Sequence, residues 1–352
     1  MKAVILAGGF GTRLRPLTLD CPKPIVPIFE RPFLYYQVDL LRKITEIDEV
    51  ILSLNYRPER IEDLIGNGKD IGIPIRYMVE PEPLGTGGAI KFASKDIEDS
   101  LVVLNGDVLT LIDLPAVIRR HRENRACATI VLTPVNNPSA YGLVETDTNG
   151  QVLRFLEKPS PDQITCDTIN AGVYILEPHT FDRIPDGRPS SIERDYFPSL
   201  ITRKETFIGH IDRGYWLDIG SPESYMQAHR DLMAQRCAAG PFHRKPQDFI
   251  CQNPSCQISA EAKITGPCFF SRDCIIEDGA QIGPESILGP RCRIAADTVI
   301  ERSILWGDTV VDSGAVISDA IVGKACHISS NTRVGPGALI GSRSVLSPYT
   351  RV

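Results

Sequence analysis

An apolar residue at every sixth position is the feature that most constrains how this chain can fold. The period begins at Ile258, slips in phase by four residues after Ile300, and then continues to Val352. A sustained six-residue period is typical of a left-handed parallel β-helix, in which three hexapeptides form each triangular coil. The sequence therefore predicts such a β-helix over residues 251–352, with an irregular corner at the slip. The predicted inward positions are Ile258, Ile264, Phe270, Ile276, Ile282, Leu288, Ile294, Ile300, Ile304, Val310, Val316, Val322, Ile328, Val334, Ile340, Leu346 and Val352.

The cysteines follow the same repeat. Five of the ten cysteines lie two residues before a predicted inward position, and several alanines share that phase. A free cysteine inside a coil packs as a small hydrophobic side chain, so we predict buried structural thiols here. A zinc site is the alternative, but the chain has no CxxC pair and its six histidines are scattered. The residues concerned are Cys256, Cys268, Cys274, Cys292 and Cys326, with Ala262, Ala280, Ala320 and Ala338.

The N-terminal part of the chain alternates strand-like and helix-like segments. This alternation predicts an α/β domain over residues 1–235, with a doubly wound, mostly parallel, Rossmann-like sheet. Ligands of such sheets bind at the carboxyl ends of the strands. Residues 236–250 lose periodicity and carry Gly and Pro, so we predict a linker there. The predicted strands are 2–6, 50–54, 75–80, 101–104 and 129–135, and the predicted helices include 33–44 and 113–124.

Charge and hydropathy restrict the partners and the location of the protein. The net charge is −6, which offers no broad attraction to nucleic acid or to an anionic membrane. Any bound phosphate must therefore be held by a few placed cations. The apolar run at the N-terminus is too short for a signal peptide, and no segment approaches the ~20 apolar residues of a membrane span. The sequence thus predicts a cytoplasmic protein.

A glycine-rich loop follows the first predicted strand and is the strongest motif in the chain. It reads GGFGTRLRPLT from Gly8 onward, and Lys23-Pro24 comes shortly after it. Glycines let backbone N–H groups approach an anion closely, while Arg13 and Lys23 add full positive charges that can grip phosphates. The spacing matches neither the GxxxxGK[ST] loop of ATPases nor the GxGxxG loop of dinucleotide folds. The motif therefore indicates a different kind of phosphate site.

The string LAGGFGTRLRPLT followed by KP resembles the signature of the nucleotide-sugar pyrophosphorylase family. The segments SSIERDYFP at 190–198 and GYWLDIGSPESY at 214–225 are similar to the mannose-1-phosphate guanylyltransferases that end in a β-helix. The resemblance implies an enzyme that joins a nucleoside triphosphate to a sugar 1-phosphate and releases pyrophosphate. GTP and mannose 1-phosphate are the substrates it favours, and a thymidylyl-, uridylyl- or adenylyltransferase acting on glucose 1-phosphate is the alternative.

The resemblance also implies the site residues. Arg13 and Lys23 would bind the leaving pyrophosphate, and Lys158 would steer the attacking phosphate. Asp107 and Asp218 would hold Mg²⁺, a pairing that spacing alone does not give. Glu157 and Asn170 would bond sugar hydroxyls. The implied nucleotide-binding residues are Leu6, Ala7, Gly8, Gly9, Gly11, Thr12, Arg13, Lys23, Glu80, Pro83, Leu84, Gly85, Thr86 and Gly106, and the sugar-phosphate residues are Gly142, Glu157, Lys158, Asn170 and Gly172.

The preference for guanine rests on Glu80, which precedes the implied base-contacting segment. A carboxylate accepts hydrogen bonds only, and guanine offers two adjacent donors, N1–H and the exocyclic amino group. Uracil and thymine offer one donor between two carbonyls, which a carboxylate would repel. The alternative is that Glu80 is a solvated strand end and that Glu82 serves instead.

Two other functional classes remain open from the sequence. The first is a silent subunit that senses nucleotide sugars, although the presence of Arg13, Lys23, Asp107 and Asp218 favours catalysis. The second is a β-helix that is also an acyltransferase with a histidine as base, but His327 is the one histidine within the repeats and the β-helix is short, which argues against it. Because the coils hide their faces only by stacking, we also predict a homo-oligomer formed at least partly through the β-helix.

Overall fold

The computed structural model describes residues 1–238 and 250–352, and the chain forms two compact units. The first unit contains Met1–Gly9 and Leu34–Asp218, and the second contains Phe10–Phe33 and Ile219–Val352. The second unit is therefore discontinuous along the chain. The predicted domain ranges 1–235, 236–250 and 251–352 stay a prediction, because most of the linker lies outside the described residues.

The strands before residue 239 include all five of the strands predicted from the sequence, with each end within one residue of the predicted position. In chain order the strands are Lys2–Leu6 (β1), Pro27–Ile28 (β2), Arg31–Pro32 (β3), Glu49–Leu54 (β4), Ile75–Val79 (β5), Leu101–Asn105 (β6), Val108–Thr110 (β7), Ala128–Pro134 (β8), Gly142–Thr146 (β9), Val152–Glu157 (β10), Thr168–Leu176 (β11), Phe207–Ile211 (β12) and Trp216–Asp218 (β13). The α-helices are Leu34–Leu41 (α1), Pro58–Ile65 (α2), Gly85–Ala93 (α3), Leu114–Glu123 (α4), Phe197–Thr202 (α5) and Pro222–Met233 (α6).

The first unit is built on a nine-stranded mixed sheet. Its main path runs β10-β9-β11-β6-β1-β4-β5, and β8 and β12 extend it from β11. Strand β1 pairs in parallel with β4 and β6, and β4 pairs in parallel with β5. Ala3, Val4 and Ile5 are fully buried, as expected for a central strand covered on both faces. The predicted Rossmann-like sheet is confirmed, with antiparallel strands added at the β11 side.

Local signals explain where the helices of this unit begin and end. Helix α4 starts after Asp113, whose carboxylate accepts a hydrogen bond from the Ala116 backbone N–H at 3.0 Å. An acceptor at this position satisfies one of the free N–H groups of the first turn. Helix α1 follows Pro32 and ends at Leu41, three residues before the predicted end. The helices therefore bury apolar faces where the sequence predicted, with shorter ends.

The second unit contains a parallel β-helix. Its strands form three parallel sheets in the orders β14-β17-β20-β23-β26-β29, β15-β18-β21-β24-β27-β30 and β16-β19-β22-β25-β28. Each strand pairs with the strand one coil further along the chain, which is the arrangement that the six-residue period predicts. The strands are Ile250–Gln252 (β14), Gln257–Ile258 (β15), Lys263–Ile264 (β16), Cys268–Phe270 (β17), Ile275–Ile276 (β18), Gln281–Ile282 (β19), Ser286–Leu288 (β20), Arg293–Ile294 (β21), Val299–Glu301 (β22), Ile304–Leu305 (β23), Val310–Val311 (β24), Val316–Ser318 (β25), Ile321–Val322 (β26), His327–Ile328 (β27), Arg333–Val334 (β28), Leu339–Ile340 (β29) and Val345–Leu346 (β30).

The predicted phase slip after Ile300 is wrong in detail. The residues in the core after Ile300 are Leu305, Val311 and Ile317, followed by Val322. The chain therefore makes two five-residue steps, from 300 to 305 and from 317 to 322, instead of one four-residue slip. The error has a physical cause, because apolar residues occupy neighbouring positions in these strands and the period can be read in either phase. The three misassigned positions are Ile304, Val310 and Val316. Val352, which was also predicted to face inward, is exposed.

The cysteine prediction is confirmed for the coil interior. Cys268, Cys274, Cys292 and Cys326 are buried in the β-helix core, and the described cysteines are free thiols. Burial raises the pKa of the Cys268 thiol to about 11, so the thiol stays protonated and unreactive at neutral pH. These side chains therefore act as small packing residues.

Helix α6 and the N-terminal segment belong to the same compact unit as the β-helix. The Trp306 indole donates a hydrogen bond to the Tyr225 hydroxyl at 3.1 Å, and that hydroxyl donates to the Pro27 carbonyl. His229 accepts from the Phe29 backbone N–H at 3.1 Å, and burial lowers the pKa of its imidazole to about 4. Aromatic packing and buried polar contacts thus join segments that lie far apart in the sequence. Among the helices described in either unit, none has the length and hydropathy needed to cross a membrane.

Candidate active site

Two acidic residues of the first unit are brought together by a small antiparallel ribbon. Asp107 lies two residues after the end of β6 and directly before β7, and Asp218 ends β13. Strands β7 and β13 pair so that Asp218 lies opposite Val108, the neighbour of Asp107. The register therefore brings the backbones of Asp107 and Asp218 close together, although more than a hundred residues separate them in the chain.

The donor set of this pair suits a hard cation. No described cluster of three or more His, Cys, Asp or Glu side chains is arranged to hold a metal by itself. Mg²⁺ is commonly bound through one or two carboxylates, with water and substrate phosphate oxygens completing its shell. Asp107 and Asp218 fit that kind of site, in which the substrate supplies part of the coordination.

Gly106 allows the carboxyl ends of β1 and β6 to lie close together. Its backbone N–H donates to the Leu6 carbonyl at 3.0 Å. A Cβ at this position would lie 2.3 Å from the same oxygen, so no other residue fits without displacing the strand. Ala7 donates to the Ser53 carbonyl at 2.9 Å and so extends β1 toward β4. Leu6, Ala7 and Gly106 therefore form a fixed backbone edge next to Asp107.

Glu80 is not a solvated strand end. Its side chain is buried, with 7% of the residue exposed. One carboxylate oxygen accepts from the Ser53 hydroxyl at 3.1 Å, and the other accepts from the Leu84 backbone N–H at 2.9 Å. A Cβ at Gly8 would lie 3.4 Å from the first of these oxygens, so the glycine backbone passes directly beside the carboxylate. Glu82, the alternative acceptor, is exposed.

The segment Leu84–Gly88 packs against residues 190–193. The N–H of Gly87 donates to the Ser190 carbonyl at 2.8 Å, and Ser190 donates back to the Leu84 carbonyl at 2.9 Å. Gly85 has a φ of +69°, and a Cβ there would lie 2.6 Å from the Ser190 oxygen. Glycine is required at this turn both by the backbone conformation and by the close approach.

Thr86 is held by the same segment, and sequence reasoning gave it no such role. Its hydroxyl donates to Glu193 at 2.8 Å and accepts from the Ile192 N–H at 2.8 Å. The predicted nucleotide contact of Thr86 therefore shares its hydroxyl with a structural one. Pro83, in the same stretch, is exposed.

The predicted sugar-phosphate residues lie on β9, β10 and β11, except Lys158, which directly follows β10. Gly142 and Glu157 are opposite each other in the β9–β10 pair. A Cβ at Gly142 would lie 2.7 Å from the Phe155 ring, so glycine keeps this strand end open. Burial raises the pKa of the Glu157 carboxyl, the charge of Glu193 adds to the rise, and Lys158 opposes it. The backbone N–H of Lys158 donates to the Tyr141 carbonyl at 2.9 Å.

Asn170 and Gly172 form a bulge in β11 that Trp216 supports. The Asn170 side chain accepts from the Gly172 N–H and donates to the Tyr174 hydroxyl, both at 2.9 Å. The Trp216 indole donates to the Ala171 carbonyl at 2.8 Å. Because Trp216 lies two residues before Asp218, this hydrogen bond ties the strand that carries a predicted metal ligand to the bulge.

Of the remaining predicted residues, Gly9 is exposed at the end of the first segment of unit one, and the others belong to the second unit. Gly11 has a φ of +59°, and its carbonyl accepts from the Thr18 hydroxyl at 2.7 Å. Thr12 and Arg13 lie in a short 3₁₀ turn over Thr12–Leu14, and Arg13 is exposed. Lys23 is 9% exposed, and a Cβ at Gly11 would lie 3.1 Å from its own Cβ. Residues 11–23 of this segment are thus held together by a hydrogen bond and a close contact at Gly11.

Comparison with known proteins identifies the class. Residues 2–235 match the family described as nucleotidyl transferase, and residues 247–352 match the EIF2B subunit epsilon LbH domain, a left-handed β-helix. The chain belongs to the nucleotidyl transferase family and is a nucleotidyltransferase.

Its relatives include enzymes for two bases. The chain is 40% identical over 311 residues to the mannose-1-phosphate guanylyltransferase of Mycobacterium tuberculosis, a match that covers 86% of this chain and 83% of that protein. It is 33% identical to the UTP–glucose-1-phosphate uridylyltransferase of a Synechocystis species, over 93% of this chain and 88% of that one. Among solved structures, HddC from Yersinia pseudotuberculosis complexed with GMP-PN superposes with a TM-score of 0.57 at 33% identity, and covers 66% of this chain and 99% of HddC.

Proposed function

We propose that this nucleotidyltransferase joins GTP to mannose 1-phosphate, forming GDP-mannose and releasing pyrophosphate. The observation that carries the proposal is the 40% identity with a mannose-1-phosphate guanylyltransferase across most of both chains. The choice of base rests on Glu80, whose two oxygens each accept one hydrogen bond within the fold and would each accept a second from the two donors of guanine.

The chemistry needs no nucleophile from the protein. An oxygen of the sugar 1-phosphate attacks the α-phosphorus of the nucleotide, one P–O bond forms, and the bond to the β-phosphate oxygen breaks with loss of pyrophosphate. The nucleophile is already an anion, so the obstacle is repulsion between two polyanions. Positioning and charge neutralisation therefore provide the catalysis, as in other phosphoryl transfers.

Each proposed residue serves one of those two tasks. Asp107 and Asp218 would hold Mg²⁺, which supplies charge neutralisation at the phosphates. Arg13 and Lys23 would bind the pyrophosphate, and Lys158 would orient the sugar phosphate. Gly142, Glu157, Asn170 and Gly172 would bind the sugar, while the segments around Gly8–Thr12 and Glu80–Thr86 would bind the nucleotide.

A uridylyltransferase acting on glucose 1-phosphate is the second candidate, because a relative at 33% identity carries that name. A substrate matrix decides between the two. Five nucleoside triphosphates are tested against mannose, glucose and N-acetylglucosamine 1-phosphates, with pyrophosphate release as the readout. We expect GTP with mannose 1-phosphate to give the highest kcat/KM, by at least about tenfold over UTP and dTTP. A maximum for UTP with glucose 1-phosphate would replace the guanylyl assignment.

We further propose a homo-oligomer formed through the β-helix. Val345 and Tyr349 near its C-terminal end are exposed apolar side chains, which suit a contact with a second copy. Light scattering of the full chain and of the variant V345D/Y349D tests this, and an unchanged mass for the variant would exclude that surface. The cytoplasmic location stays a prediction from the sequence.

A further inference from the structure

The phosphate loop, defined here as residues 10–33, is fixed to the last coil of the β-helix. Asp20 forms an ion pair with Arg343 at 2.6 Å. At Gly341 an added Cβ would lie 3.1 Å from the Cβ of Pro16, so the Gly341 backbone lies directly against the Pro16 ring. Both contacts involve the turn between β29 and β30. The middle of the loop is therefore packed against one defined turn near the C-terminus.

The C-terminal end of the loop is attached to an earlier coil. The Ser271 hydroxyl donates to the Glu30 carboxylate. The rings of Phe29 and Phe269 meet edge to face, with centroids 5.0 Å apart. The loop is thus anchored at two places along the β-helix axis, and the anchor at Asp20 is the nearer in sequence to Arg13.

Arg343 sits on a rigid support. Its φ is +64°, and its backbone N–H donates to the Lys324 carbonyl of the preceding coil at 2.8 Å. The flanking strands β29 and β30 pair in parallel with β26 and β27. The position of the Arg343 backbone is therefore set by the ladder of the β-helix and not by the loop that its side chain contacts.

Asp20 lies between the two parts of the loop that carry its predicted chemistry. On one side Thr18 bonds the Gly11 carbonyl at 2.7 Å, next to Thr12 and Arg13. On the other side Lys23 packs beside Gly11. We propose that Arg343 is a positioning residue for the nucleotide phosphates, because its ion pair with Asp20 holds the phosphate loop in the conformation that presents Arg13 and Lys23. The proposal rests on the phosphate-binding role proposed for this loop.

The expected effect is moderate and selective. The side chains of Arg343 and Asp20 are 66% and 32% exposed, and exposed ion pairs contribute little individually. Arg343→Glu should have a larger effect than loss of the ion pair alone, because it places a second negative charge beside Asp20. We expect the KM for the nucleoside triphosphate to rise about three- to tenfold at low salt, with little change in the KM for the sugar 1-phosphate or in Tm.

A second ion pair of the β-helix provides the matched control. Arg291 and Asp308 also meet at 2.6 Å, with side chains 47% and 30% exposed, and neither has a described contact with the phosphate loop. Arg291→Glu should leave both KM values unchanged. The charge-swapped variant D20R/R343E should restore the KM for the nucleotide, which a general loss of packing would not do.

The measurement uses the full chain and the nucleoside triphosphate that gives the highest turnover in the substrate matrix. A selective rise in its KM for Arg343→Glu, restored by the swap, supports the proposal. An unchanged KM, or an equal rise for Arg291→Glu, overturns it. Arg13→Ala is measured alongside: a normal pyrophosphate requirement in that variant would instead refute the role of the loop itself, so the two failures are distinguishable.

Discussion

Replacing Glu80 with glutamine tests the assignment of the base more directly than any other single change. The substitution keeps the shape of the side chain, removes its charge, and turns one acceptor into a donor. In the wild type the two oxygens accept from Ser53 and Leu84. A glutamine oxygen can still accept from the Leu84 N–H, and its amide can donate to the rotatable Ser53 hydroxyl. We therefore expect the fold to lose only about 1 kcal/mol.

The effect on base choice should be larger than the effect on stability. Guanine offers two donors, and the amide of the Glu80→Gln variant would present only one acceptor to them, with a donor facing the other. Losing one charge-assisted contact of a bidentate pair costs about 1–3 kcal/mol. The ratio of kcat/KM for GTP to that for UTP should therefore fall roughly 5- to 150-fold. Part of the fall should come from improved use of UTP, because an amide can pair with both an N–H and a carbonyl of uracil.

Glu82→Gln is the control for charge alone. Glu82 lies two residues away, carries the same charge and is exposed. Any general effect of removing a negative charge on the binding of a triphosphate should appear equally in both variants. The reasoning fails if the GTP to UTP ratio of Glu80→Gln stays within about twofold of the wild type, or if Glu82→Gln changes it as much.

Three further predictions follow from the site and the coil register. Asp107→Asn and Asp218→Asn should each lower turnover at saturating Mg²⁺ by several orders of magnitude. The Tm should stay the same or rise, because neighbouring carboxylates repel each other. More than a tenth of wild-type activity in either variant would exclude that residue as a ligand. Arg13→Ala should lose about 3–5 kcal/mol of transition-state binding, seen in the reverse reaction as a raised requirement for pyrophosphate. Ile317→Ala should lower the free energy of unfolding by about 2–5 kcal/mol, measured by thermal or denaturant unfolding, and Val316→Ala should lower it much less. The reason is that, of these two residues, only Ile317 lies in the coil core. Equal losses of stability in the two variants would contradict the register.

The parts of the fold and of the candidate site that depend on short stretches of chain could be predicted from the sequence. Strand ends, the glycine loop and the repeat of six all depend on short-range patterns, and the structure places Gly106 and Asp107 at the strand end where they were predicted. The pairing of Asp218 with that end required the β7–β13 ribbon, which links distant segments and has no local signal.

The misread coil phase shows a limit of periodicity. In pairs such as Ile304-Leu305 and Val316-Ile317 both residues are apolar, so hydropathy alone does not say which faces the core. Ile304 is itself buried, although Leu305 fills the interior position. The burial of Glu80 was equally invisible, because it depends on a hydrogen bond from Leu84 that forms only after the chain turns into α3.

The discontinuous second unit has a consequence for the order in which the protein can be assembled during synthesis. The phosphate loop is synthesised before its packing partners Phe269, Ser271 and Arg343, which lie more than two hundred residues further along the chain. Contacts of such long sequence separation form slowly and late. A nascent chain therefore carries this cationic loop without its permanent support until Arg343 has been made. In chains truncated before residue 341, limited proteolysis should therefore cut the phosphate loop faster than in chains that extend to residue 352.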